Sequence, residues 1–277
     1  MALKNNGKIC NIVLSTDGSE FSRGAEVIAL DIAEKCNAKL HIINVIFYNP
    51  EYMSMAIQEV ETQKSKAREI LTRVKKEALE KNIEVNEDIV LAEEIEKGIV
   101  EAAEKYNADL IVMGRRGIRG LAKYFIGSAT LGVLGLASCP ILVAPRNSYF
   151  KGKEFLVGFD GSKTSLAALK LACEMTMRLN LPLSIITIAK DLTEKNKAEE
   201  NLKRAEDFIK EAKCRIKDLI LHIGDPANLI LEVAKQRDVD LIVLGNRGLR
   251  GLAKMVLGSV SEKILSKTDR PVLIVKD

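Results

Sequence analysis

The sequence predicts an α/β protein of two tandem, doubly wound domains, each a parallel sheet covered by helices on both faces. Three observations lead there. Short aliphatic runs alternate with helical patterns of ten or more residues, the mark of strand–helix–strand units. The stretch GRRGIRGLAKYFIGS from Gly114 to Ser128 is written again as GNRGLRGLAKMVLGS from Gly245 to Ser259. A length of 277 residues suits two domains of ~140 better than one.

In the first copy Ile9 to Thr16 reads as a strand, Ser22 to Cys36 as a helix and Lys39 to Phe47 as a strand. Tyr52 to Glu80 then reads as a long helix and Val85 to Leu91 as a strand. Glu94 to Tyr106 is helical, Asp109 to Met113 an apolar strand, Ser128 to Ser138 a helix and Pro140 to Ala144 a last strand. The long helix carries Ile57, Val60, Ala67, Leu71, Val74 and Ala78 as one apolar stripe on a charged background. Its extra length reads either as a solvated arm or as a partner-binding surface.

The second copy repeats this order. Asp17 and Asp160 are 143 residues apart, whereas Gly114 and Gly245 are 131 apart, so the second copy has lost twelve residues, which the pattern places in its second helix. The expected domains are 1–147 and 151–277, joined by the short polar segment Pro145 to Lys153. The strands Pro140 to Ala144 and Pro271 to Val275 are both short and aliphatic. As edge strands they could pair antiparallel, burying an otherwise exposed edge and making the chain an internal pseudo-dimer.

Composition narrows the function. Forty-two Lys and Arg against thirty-eight Asp and Glu leave a net charge of +4, spread along the chain, and there is no Trp. An extended nucleic-acid footprint is not expected. No apolar run approaches ~18 residues and the start MALKNNGK carries no signal-peptide core, so no membrane span and a cytoplasmic location are expected. The five cysteines show no metal-ligand spacing and read as buried, reduced thiols; His41 and His222 sit on separate apolar runs.

The repeated stretch carries the chemistry. In a doubly wound sheet, ligands bind beyond the carboxyl ends of the strands, where the strand order reverses. Gly114 and Gly117 follow an apolar strand and let the backbone approach a ligand; Gly127-Ser128 then opens a helix whose free N–H groups favour phosphate. Arg115, Arg116, Arg119 and Lys123, with Arg247, Arg250 and Lys254 in the second copy, either add attraction for phosphate or keep the loop solvated. Ser259 with Glu262 also fits a capping box that needs no ligand. Asp17 and Asp160 end the first strand of each copy; such a carboxylate can meet ribose hydroxyls or a cation, or simply fix a turn.

These residues resemble the universal stress proteins in their tandem, ATP-binding form. The motif is Gly, two residues, Gly, nine residues, Gly-Ser: Gly114, Gly117, Gly127 and Ser128, then Gly245, Gly248, Gly258 and Ser259. The resemblance implies five-stranded parallel sheets of the adenine-nucleotide alpha-hydrolase-like type. It also implies ATP, or AMP or ADP, held with Mg²⁺ or Mn²⁺. Implied site residues of the first copy are Ser15, Thr16, Asp17, Val45, Met113, Gly114, Gly117, Gly127, Ser128 and Ala129. In the second they are Gly158, Phe159, Asp160, Ile188, Leu244, Gly245, Gly248, Gly258, Ser259 and Val260. The implied role is a conformational stress-response or regulatory protein, with possible pairing of whole chains into a homodimer. A slow ATPase or nucleotidyl-transferring enzyme is the alternative, although no catalytic residue stands out; a nucleotide-free interaction module is the other.

The copies differ at one point. Gly224-Asp225-Pro226-Ala227 is typical of the family, but the first copy has Glu93, Glu94, Ile95 and Glu96 there. Its last helix also contains Gly132 and Gly135, which either permit close packing or mark drift from the ATP-binding pattern. The second copy is therefore expected to bind nucleotide more tightly.

Overall fold

A computed structural model of the chain describes residues 8–49, 53–117, 126–246 and 257–276, with backbone alone for 53–57. One unit spans Ile9–Ser148 and another is built from Tyr149–Asp277.

The first unit runs β1 (Asn11–Ser15), α1 (Arg23–Cys36), β2 (Lys39–Phe47), α2 (Met53–Glu80), β3 (Val85–Ala92), α3 (Ile95–Lys105), β4 (Leu110–Gly114), α4 (Ser128–Leu136) and β5 (Ile141–Ala144). Its strands pair in parallel in the order β3-β2-β1-β4-β5. The second unit runs β6 (Phe155–Gly158), α5 (Lys163–Leu179), β7 (Leu183–Ala189), a 3₁₀ turn (Leu192–Glu194), α6 (Lys195–Ala212), β8 (Ile216–Ile223), α7 (Pro226–Gln236), β9 (Leu241–Gly245), α8 (Ser259–Lys267) and β10 (Val272–Val275). Its parallel order, β8-β7-β6-β9-β10, repeats the first. The α/β class and its duplication in two five-stranded parallel sheets are as the sequence predicts.

Burial explains the strand sequences. β4 reads LIVMG and is buried throughout, because helices cover both faces of a central parallel strand. The edge strands β3 and β8 are only half-buried and carry polar residues. Helices present one stripe each. Along α2, Ala67, Leu71, Val74 and Ala78 are buried as the periodicity requires, and full burial of each larger side chain stabilises by about 1.5–3 kcal/mol. The Ile57 side chain lies outside the described residues. Both α1 and α5 stop on an asparagine with left-handed backbone, Asn37 (φ 50°) and Asn180 (φ 54°), the residue type that tolerates this conformation besides glycine.

In each unit the connections reverse between the first strand and its neighbour on the other side, β1 against β4 and β6 against β9. Loops leave the two strands in opposite directions there, and a crevice opens at their carboxyl ends.

Candidate functional site

At the end of β1 and of β6 the chain makes the same turn. Asp17 Oδ1 accepts from the Ser19 N–H at 3.0 Å and from the Ser19 hydroxyl at 2.6 Å. Asp160 Oδ1 accepts from the Ser162 N–H at 3.0 Å. Both are Asx turns, so one carboxylate oxygen is spent on turn geometry. The intervening glycines, Gly18 (φ +71°) and Gly161 (φ +81°), take the left-handed backbone that the turn demands. Ser15 ends β1, and the Thr16 and Phe159 carbonyls are held by side chains of the next strand. Asn44 Nδ2 donates to Thr16 O, and the Thr187 hydroxyl donates to Phe159 O, both at 2.9 Å.

The glycine loops are pinned at their necks. Gly127 N–H donates to Arg115 O at 2.9 Å, and Gly258 N–H to Asn246 O at 2.7 Å. A hydroxyl in the following helix adds a second tie: Thr130 donates to Gly114 O at 3.1 Å, and Ser261 to Gly245 O at 3.0 Å. Neither hydroxyl was singled out in the sequence, although GSAT and GSVS place them alike. Gly248 lies outside the described residues, as do Arg119, Lys123, Arg247, Arg250 and Lys254. Of the described loop cations, Arg116 sets its guanidinium 4.4 Å from the Phe21 ring centroid, a cation–π contact with the start of α1.

Two sequence readings change. A side chain on Gly245 would strike Thr164 C at 2.8 Å and Ser165 N at 2.9 Å, and one on Gly114 would strike Phe21 O at 2.9 Å. These two glycines therefore admit the first turn of α5 and the segment leading into α1 over the strand end, a packing demand that holds with or without a ligand. The capping box also fails. Gly258 is the N-cap of α8 and makes no side-chain cap, while Ser259 is already helical and exposed. Gly127 caps α4 in the same way, with Ser128 exposed and Ala129 half-buried. Both helices thus begin without a side-chain acceptor at the N-cap, so that position supplies no partner for their first N–H groups.

In the second unit these parts surround a cavity of about 540 Å³, within the usual range for small-ligand sites. Gly158, Phe159, Asp160, Ile188, Leu244, Gly245, Gly258, Ser259 and Val260 all line it. Its remaining wall comes from residues that local sequence did not single out, chiefly Lys190, Lys197 and Asn201 from the β7–α6 region and Ile230 from α7. Asn201 Nδ2 donates to Asp160 O at 2.9 Å. Asp225 turns to α7 and α8 instead: it caps Asn228 N–H at 2.8 Å and pairs with Lys263 at 3.0 Å. Those two interactions, the backbone one foremost, hold its carboxyl below the usual range.

The first unit assembles the same parts with different chemistry beneath them. Asp17 Oδ2 lies 2.9 Å from where a Gly117 Cβ would stand, so loop and turn meet. Met113 is buried at the end of β4. Val45 is half-buried and packs against Gly98 of α3, where a Cβ would come within 2.9 Å of it. Ile70 takes the place of Asn201 and covers Gly18. Below the turn, Thr16 donates to the fully buried Glu26 at 2.7 Å, which also accepts from Arg73 at 2.9 and 3.0 Å and from Arg23 at 3.0 Å. Burial raises the Glu26 pKa, but the hydrogen bonds from Arg73, Thr16 and Arg23 outweigh it and hold the carboxyl below its ordinary value. At α4, Gly132 makes room for the Glu96 side chain, whose Cγ lies 2.6 Å from a would-be Cβ. That glycine serves close helix packing.

Among the described residues no helix is long and apolar enough to cross a membrane, and no group of three or more His, Cys, Asp or Glu is placed to hold a metal ion.

Comparison with known proteins agrees with the repeat. The model of the universal stress protein family matches residues 9–145 and again 152–276. A universal stress protein of Methanocaldococcus jannaschii is 34% identical over 140 residues, covering 49% of this chain and 81% of that protein. One from Synechocystis is 24% identical over 285 residues and covers 95% of this chain and 98% of its own length. The crystal structure of a universal stress protein from Archaeoglobus fulgidus superposes with a TM-score of 0.80 at 24% identity, over 99% of both chains. With two complete matches of the family model and full-length relatives of the same kind, the chain belongs to the universal stress protein family.

Proposed function

We propose that the chain binds an adenine nucleotide, ATP in the first instance, and acts through the bound state as a conformational stress-response or regulatory protein. The observation that carries this reading is the second-unit cavity. It has an apolar wall of Phe159, Ile188, Ile230 and Leu244 and a carboxylate, Asp160, at its rim. A helix start opens onto it whose N-cap, Gly258, offers no side-chain acceptor. The wall suits a flat base, the carboxylate suits sugar hydroxyls, and the helix N-terminus with the Ser259 hydroxyl suits phosphate. Lys190 and Lys197 at the same cavity add positive charge.

Ser15, Thr16, Asp17, Val45, Met113, Gly114, Gly117, Gly127, Ser128 and Ala129 would form the matching site of the first unit. A divalent cation would rest on the phosphates and on Asp160 or Asp17, since the described residues supply no carboxylate cluster of their own.

The test is equilibrium binding to chain from which retained nucleotide has been removed and quantified. We expect saturable ATP binding enhanced by Mg²⁺, with Ser259→Asp, which places a carboxylate at the helix start, weakening it at least tenfold. No binding by nucleotide-free, folded chain overturns the reading.

A further inference from the structure

Two of the five cysteines meet in the second unit, on the amino-end side of the sheet and away from the cavity. Cys173 lies on α5 and is 2% exposed; Cys214 lies between α6 and β8 and is 9% exposed. The Thr176 hydroxyl donates to the Cys173 carbonyl at 3.0 Å. Thr176, one turn along α5 from Cys173, brings its hydroxyl to 3.4 Å from Cys214 Sγ. The repeat makes the placement informative. The offsets of 143 and 131 put Leu30 and Ile83 at these positions in the first unit, both buried at 3% and 4% exposure. Two positions that are aliphatic and buried in one copy carry thiols in the other.

We propose that Cys173 and Cys214 are a redox site, in which a hydroperoxide oxidises Cys214 and Cys173 resolves it to a reversible disulfide. The Cys214 thiolate attacks the terminal peroxide oxygen; the O–O bond breaks, the displaced oxygen takes a proton and leaves as water from hydrogen peroxide or as an alcohol from an organic hydroperoxide, and Cys214 becomes a sulfenic acid. The Cys173 sulfur then attacks the Cys214 sulfur, the S–O bond breaks, and hydroxide leaves with the Cys173 proton as water. Two electrons pass from the sulfurs to the peroxide. The roles follow from the environment. Cys214 is the more exposed of the two, and its neighbours Cys173, Thr176 and the Arg215 N–H draw its thiol below the ordinary value against the opposing effect of burial. Proximity to Cys214 together with burial raises the Cys173 thiol, which keeps its proton until it attacks Cys214. The bond would staple α5 to the α6–β8 connection, and α6 carries the cavity residues Lys197 and Asn201.

The experiment uses the full chain, reduced, exposed to hydrogen peroxide under native conditions, then alkylated in denaturant and mapped by mass spectrometry. We expect one linked peptide pair joining Cys173 to Cys214, reversed by dithiothreitol, with Cys10, Cys36 and Cys139 still alkylated. The rate should rise with pH as the Cys214 thiolate forms, at a lower pH than for a free thiol. Cys173→Ser should leave Cys214 as a sulfenic acid trapped by dimedone, and the aliphatic pair Cys173→Leu with Cys214→Ile, copied from the first unit, should show no peroxide-induced linkage while the chain stays folded. Full alkylation of both residues in peroxide-treated wild-type chain overturns the proposal, as does linkage scattered among all five cysteines.

Discussion

The Asn201 side-chain amide donates to the Asp160 carbonyl across 2.9 Å, in the place where the first unit sets Ile70 over Gly18. A side chain on α6 thereby fixes the turn that carries the carboxylate at the cavity rim. Asn201 is 8% exposed. Replacing it with leucine leaves the Asp160 carbonyl without this donor in a nearly dry setting, a loss of about 1–3 kcal/mol. Urea melts of Asn201→Leu should show that loss, and nucleotide titrations should show weaker binding in the same variant. Unchanged stability would mean that water replaces the amide.

Gly245→Ala is expected to destabilise the second unit by about 1–3 kcal/mol or more through overpacking. The added methyl meets backbone of α5 at 2.8 and 2.9 Å, which cannot swing aside as a side chain would. Thermal melts without ligand check this. A substitution here that lowers affinity reports on the fold, so site tests belong at Ser259 and Asp160.

Acid should loosen the first unit through Glu26. Its folded-state carboxyl is held below the ordinary value; the stabilisation is therefore complete above the unfolded pKa of about 4.3 and is lost as pH falls through the lower folded value. Glu26→Gln should cost about 1.5–3 kcal/mol at neutral pH, the worth of hydrogen bonds to a charged group. It should also flatten the acid limb of the stability profile. Chemical denaturation from pH 7 down to pH 3, a window of about four units across that pKa, tests both expectations; an unchanged acid limb in the variant would remove Glu26 from the account.

ATP and a non-hydrolysable analogue should stabilise the chain equally. Ligand at ~100 times its dissociation constant adds ~2.7 kcal/mol to the unit that binds it, a rise in melting temperature of roughly 5–15 °C for a unit of this size. Phosphate release should stay far below the typical enzyme turnover of ~10 per second. Fast release abolished by Asp160→Asn, with affinity intact, would make the protein an ATPase instead.

Removing the loop tie is a milder change. Thr130→Val and Ser261→Ala each delete one hydroxyl that donates to a β4 or β9 carbonyl, so each should cost about 0.5–1.5 kcal/mol. Hydrogen exchange at the Gly127 and Gly258 amides, which close the necks, should rise in the same variants.

What the sequence determined by itself is whatever local spacing encodes. The period of the aliphatic residues set the strands and the buried stripe Ala67, Leu71, Val74 and Ala78; the glycine and serine spacing marked two equal loops; Asp17 and Asp160 fell where a parallel strand ends. Those features depend on neighbours within a turn or two, so one reading of the chain reaches them. What only the tertiary structure decided lies between elements far apart in the chain. The helical pattern puts Glu26 within the first helix, but does not say that it is buried or that Arg73 of α2 reaches it; the repeat puts Asn201 on a charged helix, but not above Asp160. Gly114 and Gly245 stand out in the sequence because they follow strands, and only the packing shows what backbone crosses over them. Cys173 and Cys214 are two ordinary buried thiols in the sequence, and the fold makes them neighbours. Contact across a sheet or between helices depends on three-dimensional proximity that no local pattern carries, and there the chemistry of each unit is set.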